Sequence, residues 1–358
     1  MNILGFILVI LIFLYFIYSQ CSGNNVRKFI TWGCLLLGLE SGLRHLAVGP
    51  DTPTYYMLFK QTYALSWSEV FSGFTATADE FRDPAYALIV KTFITIIPSW
   101  QLFLIAVAAF YFYGLWRVLT RYVESLEGAL LAFVLYLSLF NIIALSGLRQ
   151  CITSGIAFLL IPFINDRRWK YVIPIVLIGA TIHISLLFML LLIPLIILSD
   201  NFKKKLYIVS IILIPVIAVG ARSIVLYMAS FMANDYYAGY ANAEKEGNPM
   251  VYVTLVSIIS IYEYLNYRKL TELKQTSFLV PSNILMTLAV PLIFLDGTMI
   301  RIGQYFTLYL MVSLPLVFER VSYRKVGYFG CIAFLSCGIF TSVNMYHFFW
   351  ETVPGFIY

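Results

Sequence analysis

Apolar runs of about 18 residues recur along the whole chain, separated by short clusters of Lys and Arg, and this repetition leaves few folds open. A hydrocarbon core of ~30 Å is crossed by a helix of about 20 apolar residues. In lipid, only helices and closed barrels satisfy their own backbone polar groups. A barrel would show segments of about ten residues alternating polar and apolar, whereas the runs here are continuous. The expected fold class is all-α: a polytopic integral membrane protein with about 10–12 transmembrane segments. Charged residues make up 12% of the 358, about half the share in a soluble domain, so residues 1–358 read as a single membrane-embedded domain. The first run, Ile3 to Tyr18, lacks a basic leader and a small-residue cleavage site and reads as a span rather than a removed signal.

The basic clusters orient the chain. Arg27/Lys28, Arg117/Arg121, Arg167/Arg168/Lys170, Lys203/Lys204/Lys205, Arg268/Lys269/Lys274 and Arg320/Arg324/Lys325 hold sixteen of the 24 Lys and Arg. Placing all six in the cytoplasm satisfies the positive-inside rule. It gives spans at 3–18, 29–48, 100–117, 128–146, 150–165, 206–228, 250–267, 279–295, 302–318 and 326–343, with both termini in the periplasm of an inner-membrane protein. A net charge of +6 is thereby explained by topology and is no nucleic-acid signature.

One stretch resists a single crossing. Tyr171 to Leu198 is an apolar run of 28 residues with basic clusters on both sides. It has to leave and return, and each arm rises only ~17–22 Å. A re-entrant hairpin or pair of short helices is expected, with His183 at the bend. The alternative is one long tilted helix. Irregular backbone survives at membrane depth only when buried in protein or lining a wet cavity.

Two loops are long, 49–99 and 228–248, and both fall outside. Pro84 to Ile97 within the first is expected to be a short helix lying at the periplasmic interface. Cytoplasmic loops are short, and neither GxxxxGK[ST] nor GxGxxG occurs, so no cytosolic nucleotide site is expected. The five cysteines form no CxxC pair and the three histidines no HxxxH, so no metal and no cofactor is expected.

Four basic residues stand at or within span ends on the outer side: Arg44, Arg149, Arg222 and Arg301, all of them Arg. A guanidinium is a fixed, permanently charged fork that grips phosphate in bidentate fashion, and charges in spans are usually functional. Arg149, Arg301 and Arg44 are the candidate diphosphate ligands, with a lipid-linked diphosphate the natural anion; Arg222 reads as snorkelling to the headgroups. Ser146, Arg149, Gln150 and Thr153 form a polar stripe at i, i+3, i+4 and i+7, and Arg301, Gln304 and Tyr305 repeat the spacing. Glu40 precedes Arg44 by one turn and pairs with it in the favourable order. His183 is open between a packing role and a substrate contact or general acid/base. Asp51 and Asp83 bound structured pieces of the first loop; a carboxylate there serves as a general base or as a helix N-cap, the latter for Asp83 before Pro84. Candidate catalytic residues are Asp51, His183 and Arg149. Candidate glycan contacts are Tyr55, Tyr56, Gln150, Gln304 and Tyr305, since sugar rings stack on aromatics and bond to amides.

The order of these residues resembles the EpsG-like branch of the Wzy-type polysaccharide polymerases. It is carried by Arg44, Gly49-Pro50-Asp51-Thr52, Tyr55 and Phe59, Asp83-Pro84 with Tyr86, Gly147-Leu148-Arg149-Gln150, His183 with Ser185, and Arg301 with Tyr305-Phe306. Asp83 stands where such proteins usually carry Glu. The resemblance implies transfer of an undecaprenyl-diphosphate-linked glycan onto another lipid-linked repeat, making O-antigen or capsule, with free undecaprenyl diphosphate as the second product. Implied partners are those glycans, the bilayer, a chain-length regulator and a flippase. A lipid-linked oligosaccharide flippase would show repeat symmetry and a midplane site. An O-antigen ligase would share the arginine logic and differ in acceptor.

The orientation is testable. A reporter active only in the cytoplasm is expected to work when fused after Lys205 and to be silent after Asn248. Activity after Asn248 reverses the assignment, and silence after Lys205 favours the single long helix.

Overall fold

A computed structural model of the chain describes residues 2–23, 25–73, 83–232, 249–272, 276–294, 299–341 and 345–356, with several side chains between 221 and 232, Arg222 included, left out. Helix follows helix: α1 Ile3–Gln20, α2 Asn25–Gly42, α3 Thr52–Ala64, α4 Trp67–Ser72, α5 Pro84–Ile96, α6 Trp100–Tyr122, α7 Leu126–Leu135, α8 Asn141–Ser146, α9 Leu148–Asn165, α10 Trp169–Ala180, α11 Leu192–Ile197, α12 Asp200–Met232, α13 Met250–Leu265, α14 Tyr267–Thr271, α15 Leu279–Ala289, α16 Ile300–Thr307, α17 Leu310–Phe318 and α18 Arg324–Thr341. Among the described residues the one β pairing is an isolated bridge, Arg44 to Phe348. Five stretches among the described residues are long and apolar enough to cross a membrane: 3–20, 100–122, 126–146, 148–165 and 300–318. Two of the other five expected spans are shorter apolar helices, α13 and the stretch 279–294, and α2, α12 and α18 lie on the remaining three. The protein is a multi-pass helical membrane protein.

The chain forms two units, Met1–Leu187 with Val321–Tyr358, and Phe188–Arg320; no linker in the sequence marks the divide. In the first unit, α7 and α8 run through the centre. Their stretch is 83% buried and is held continuous by a π-helical turn at Tyr136–Phe140, whereas α1 is 39% buried and turns Phe6, Val9, Phe13 and Phe16 outward as lipid-facing surface. Gln101 at the start of α6 donates to the Gly42 carbonyl at the end of α2, while Arg27 at the start of α2 lies over Trp116 near the end of α6. The two helices are therefore antiparallel. The first three basic clusters gather at one end of this unit, as the positive-inside assignment requires of them.

In the second unit, α12 is 33 residues long, or ~50 Å, and packs against α15 and α13. Its core is polar at one point. Asn283 Nδ2 donates to Glu263 Oε2 at 2.5 Å, Ser260 and Thr287 share a hydroxyl bond of 2.6 Å, and Tyr207 donates to the Ser260 carbonyl.

The apolar run around His183 breaks as expected. The helix α10 stops at Ala180, residues 181–183 turn, and the chain resumes as a 3-10 helix, Ile184–Leu191, before α11. A single long helix through this run is excluded. Pro84–Ile96 is a helix as expected; its neighbours α3 and α4 were not anticipated, although Ser66 and Glu69 form a capping box that opens α4. Of the second long loop, residues 233–248 lie outside the described residues.

The helices α6 and α9 touch at glycines. A Cβ on Gly114 would sit 3.0 Å from the Gly155 carbonyl oxygen and 3.4 Å from its Cα, backbone atoms that cannot step aside. Small residues at such crossings let membrane helices approach closely. Gly114→Val is expected to destabilise by about 1–3 kcal/mol, seen as a lower Tm of the detergent-solubilised protein. An unchanged Tm contradicts the close crossing.

Candidate functional site

The site end of the first unit is built where helices stop. The end of α2 exposes four carbonyls that no intrahelical bond can satisfy, and each finds a partner. Tyr346 OH donates to Glu40 O (2.5 Å), Arg44 Nη1 to Ser41 O (2.5 Å), Gln101 to Gly42 O and Phe349 N to Leu43 O (2.9 Å). His45 N bonds His347 O at 2.9 Å, which pins the C-terminal tail across the end of α2. Bonds from His347 and from the Phe348 amide hold the Glu351 carboxyl below the ordinary carboxylate range.

The Gly49-Pro50-Asp51-Thr52 turn is clamped against the end of α8. Gly49 has φ +88°, and a Cβ there would fall 2.1 Å from the Leu145 carbonyl oxygen, so the turn requires glycine. Thr52 Oγ1 donates to Val48 O (2.7 Å) and Leu145 O (3.1 Å), and the Asp51 amide donates to Ser146 Oγ (3.3 Å). Ser146 closes α8 and Gly147 separates it from α9, so the expected stripe is divided between two helices. Ser146 braces the Asp51 turn, while Arg149, Gln150 and Thr153 share α9.

Arg149 is the centre of the cluster. Its Nη1 forms an ion pair and hydrogen bond with Asp83 Oδ2, and its Nε donates to Tyr55 OH at 3.2 Å. The guanidinium lies 5.5 Å from the Tyr55 ring and 6.0 Å from the Tyr86 ring, which meet edge to face at 5.7 Å. Side-chain exposures of 23% for Arg149 and 14% for Asp83 leave the pair reachable from solvent. Asp83 corrects the sequence reading. It occupies the N-cap position of α5 but makes no capping bond; with φ 62° and ψ 62° its backbone is left-handed, and its carboxylate goes to Arg149 instead. A non-glycine residue held in that region marks a locally strained position.

His183 joins from the break after α10, its Nε2 3.4 Å from Gln150 Nε2. The start of α5 is tied to the same break, Ala85 N donating to Thr181 O at 3.2 Å. Five expected residues, Asp51, Tyr55, Arg149, Gln150 and His183, are thus brought to one end of one unit, with Asp83 and Tyr86 added. Tyr56 packs edge-on against Trp100 (5.5 Å) beneath the Lys60 ammonium (4.4 Å).

Arg44 is at the same end and fully buried. Only Nη1 is bonded; Nε and Nη2 have no partner among the described residues. The expected Glu40–Arg44 ion pair does not close. Glu40 accepts from Asn141 Nδ2 at 2.9 Å, while the tail and Ser41 turn Arg44 away. Arg301, Gln304 and Tyr305 belong to the second unit, on α16, where Arg301 is half-buried and the other two are buried. No cluster of three His, Cys, Asp or Glu able to hold a metal occurs among the described residues.

Residues 27–351 match the EpsG family. No curated protein and no solved structure matches the chain.

The Arg149–Asp83 pair can be measured apart from any activity. A double-mutant cycle on Arg149→Gln and Asp83→Asn is expected to return a coupling of about 1–3 kcal/mol in thermal or denaturant unfolding. Additive single effects would mean that the two side chains do not pair.

Proposed function

The chain belongs to the EpsG family over nearly its whole length, and from there we propose that it polymerises lipid-diphosphate-linked oligosaccharide repeats into a surface polysaccharide, O-antigen or capsule. The observation that carries this reading is the Arg149 guanidinium, already gripped by a carboxylate and a phenol at a partly exposed helix start. Asp83 occupies the place an anion would take.

In the reaction, a hydroxyl of the acceptor glycan attacks the anomeric carbon of the donor. The bond from that carbon to the diphosphate breaks, and the lipid diphosphate leaves with the electron pair. Arg149 exchanges its Asp83 contact for the departing diphosphate and stabilises charge that grows as the bond breaks. The freed Asp83 carboxylate, Asp51 or His183 accepts the hydroxyl proton. Half-buried Tyr56 offers a ring edge to the sugars, while the buried Tyr55 and Tyr86 hold the Arg149 guanidinium and Gln150 meets His183. Arg44, whose Nε and Nη2 have no partner among the described residues, is a further anion ligand in this scheme. The site faces the periplasm of the inner membrane, where a flippase delivers repeats and a chain-length regulator acts on the product. No metal takes part.

Purified protein supplied with one synthetic undecaprenyl-diphosphate repeat unit is expected to produce a ladder of longer lipid-linked glycans, and EDTA is expected to leave that ladder intact. A single product on a different acceptor would instead indicate a ligase, and movement of substrate across the bilayer without bond formation a flippase. Arg149→Lys keeps the charge and loses the fork; the ladder is expected to fall on the order of 10²-fold or more at unchanged protein level. Near-normal chains with Arg149→Lys reject the clamp and pass the role to Arg301.

A further inference from the structure

The end of the first unit remote from Arg149 holds a second arginine site. A cavity of about 390 Å³ opens between the start of α2 and the last turns of α6 and α9, within the size range of small-ligand sites. Three guanidiniums line it: Arg27 from α2, and Arg117 and Arg121 from α6. No carboxylate is among the described residues that line it. Of the acidic residues around it, Asp166 is paired with Arg168 at 3.3 Å and Glu127 accepts from Tyr15 at 3.4 Å, while Glu124 is exposed. Two of the three guanidiniums are held over rings. Arg27 lies 5.2 Å from Trp116, whose indole N–H is anchored on Thr31 at 3.0 Å, and Arg121 lies 5.7 Å from Tyr122. The inner wall is apolar, formed by Phe158, Pro162 and their neighbours.

Topology alone does not account for this. The positive-inside rule is met equally by Lys, and the one lysine of these two helix ends, Lys28, stays out of the cavity. What the cavity combines is fork-shaped donors, ring stacking that orients two of them and an apolar wall. Guanidinium forks match phosphate oxygens in bidentate fashion. From Arg149 to Pro162 is thirteen residues along α9, or ~20 Å, so one phosphate group cannot reach both places.

We propose that the Arg27–Arg117–Arg121 cavity binds the phosphate of an anionic ligand, either the headgroup of an anionic phospholipid in the adjacent leaflet or a soluble phosphate. A headgroup would set its phosphate among the three arginines and its glycerol against the Phe158–Pro162 wall. The site is independent of the polymerase reading, and its test needs no turnover.

Protein purified in neutral detergent would be titrated with short-chain phosphatidylglycerol, its phosphatidylcholine analogue, and inorganic phosphate, reading Tm. A ligand that binds only the folded state raises Tm with concentration. Phosphatidylglycerol is expected to raise Tm and phosphatidylcholine to leave it unmoved. Arg117→Lys/Arg121→Lys, which keeps every charge and so the topology, is expected to weaken the apparent affinity on the order of tenfold. Arg27→Lys provides a second variant should the double one misfold. If inorganic phosphate reproduces the shift with the same dependence on arginine, the site stands and its ligand is soluble. No shift with phosphatidylglycerol or inorganic phosphate, an equal shift with phosphatidylcholine, or a shift that the Lys variants leave unchanged, overturns the proposal.

Discussion

The interaction on which the rest of the first unit depends is the satisfaction of backbone carbonyls where helices end inside the protein. In lipid an orphan carbonyl costs several kcal/mol, so a helix that stops short must be met by donors from elsewhere. The end of α2 recruits Tyr346, Arg44, Gln101 and the Phe349 amide, drawing in the C-terminal tail, its own flanking residue and α6. The end of α8 recruits Ser41 to Ala144 O and Thr52 to Leu145 O. The end of α10 recruits the Ala85 amide to Thr181 O. These bonds gather the tail, the Asp51 turn and the start of α5 at the same end of the unit.

A cluster of polar side chains follows from that gathering. Breaks in helices admit side chains that a continuous span would exclude, and the breaks at Gly147 and at 181–183 are where Arg149, Gln150 and His183 stand. A lone guanidinium at such depth is costly. Asp83 offsets that cost, and Tyr55 and Tyr86 add ring faces to hold the charge in place. The left-handed backbone at Asp83 is the local strain that accompanies this pairing. Arg44 is handled differently: buried and bonded through Nη1 alone, it serves the end of α2 first, and its Nε and Nη2 have no partner among the described residues.

Much of this was legible in the residues. The expected spans fall on observed helices from α1 to α18, and the turn at His183 was forced by an apolar run too long for one crossing and too short for two. Arg149 stood out because Gln150 and Thr153 share its face. The pairing with Asp83 was not legible. Asp before Pro reads locally as a cap, and nothing in sixty-odd intervening residues says that the carboxylate turns to α9. The small helices α3 and α4 were missed because a membrane-scale reading looks for long runs, although Pro53 and the Ser66/Glu69 box mark their starts.

The sequence by itself determined the fold class, the apolar spans and the candidate charges, because hydrophobic length and basic clusters act through the bilayer without regard to partners. Only the tertiary structure decided which charges meet. Asp83 turns to Arg149, Glu40 turns to Asn141 rather than Arg44, and Ser146 leaves the arginine's helix for the Asp51 turn. Each choice depends on where a broken helix end finds its donors, and that is set by chain segments about 60 to 300 residues apart.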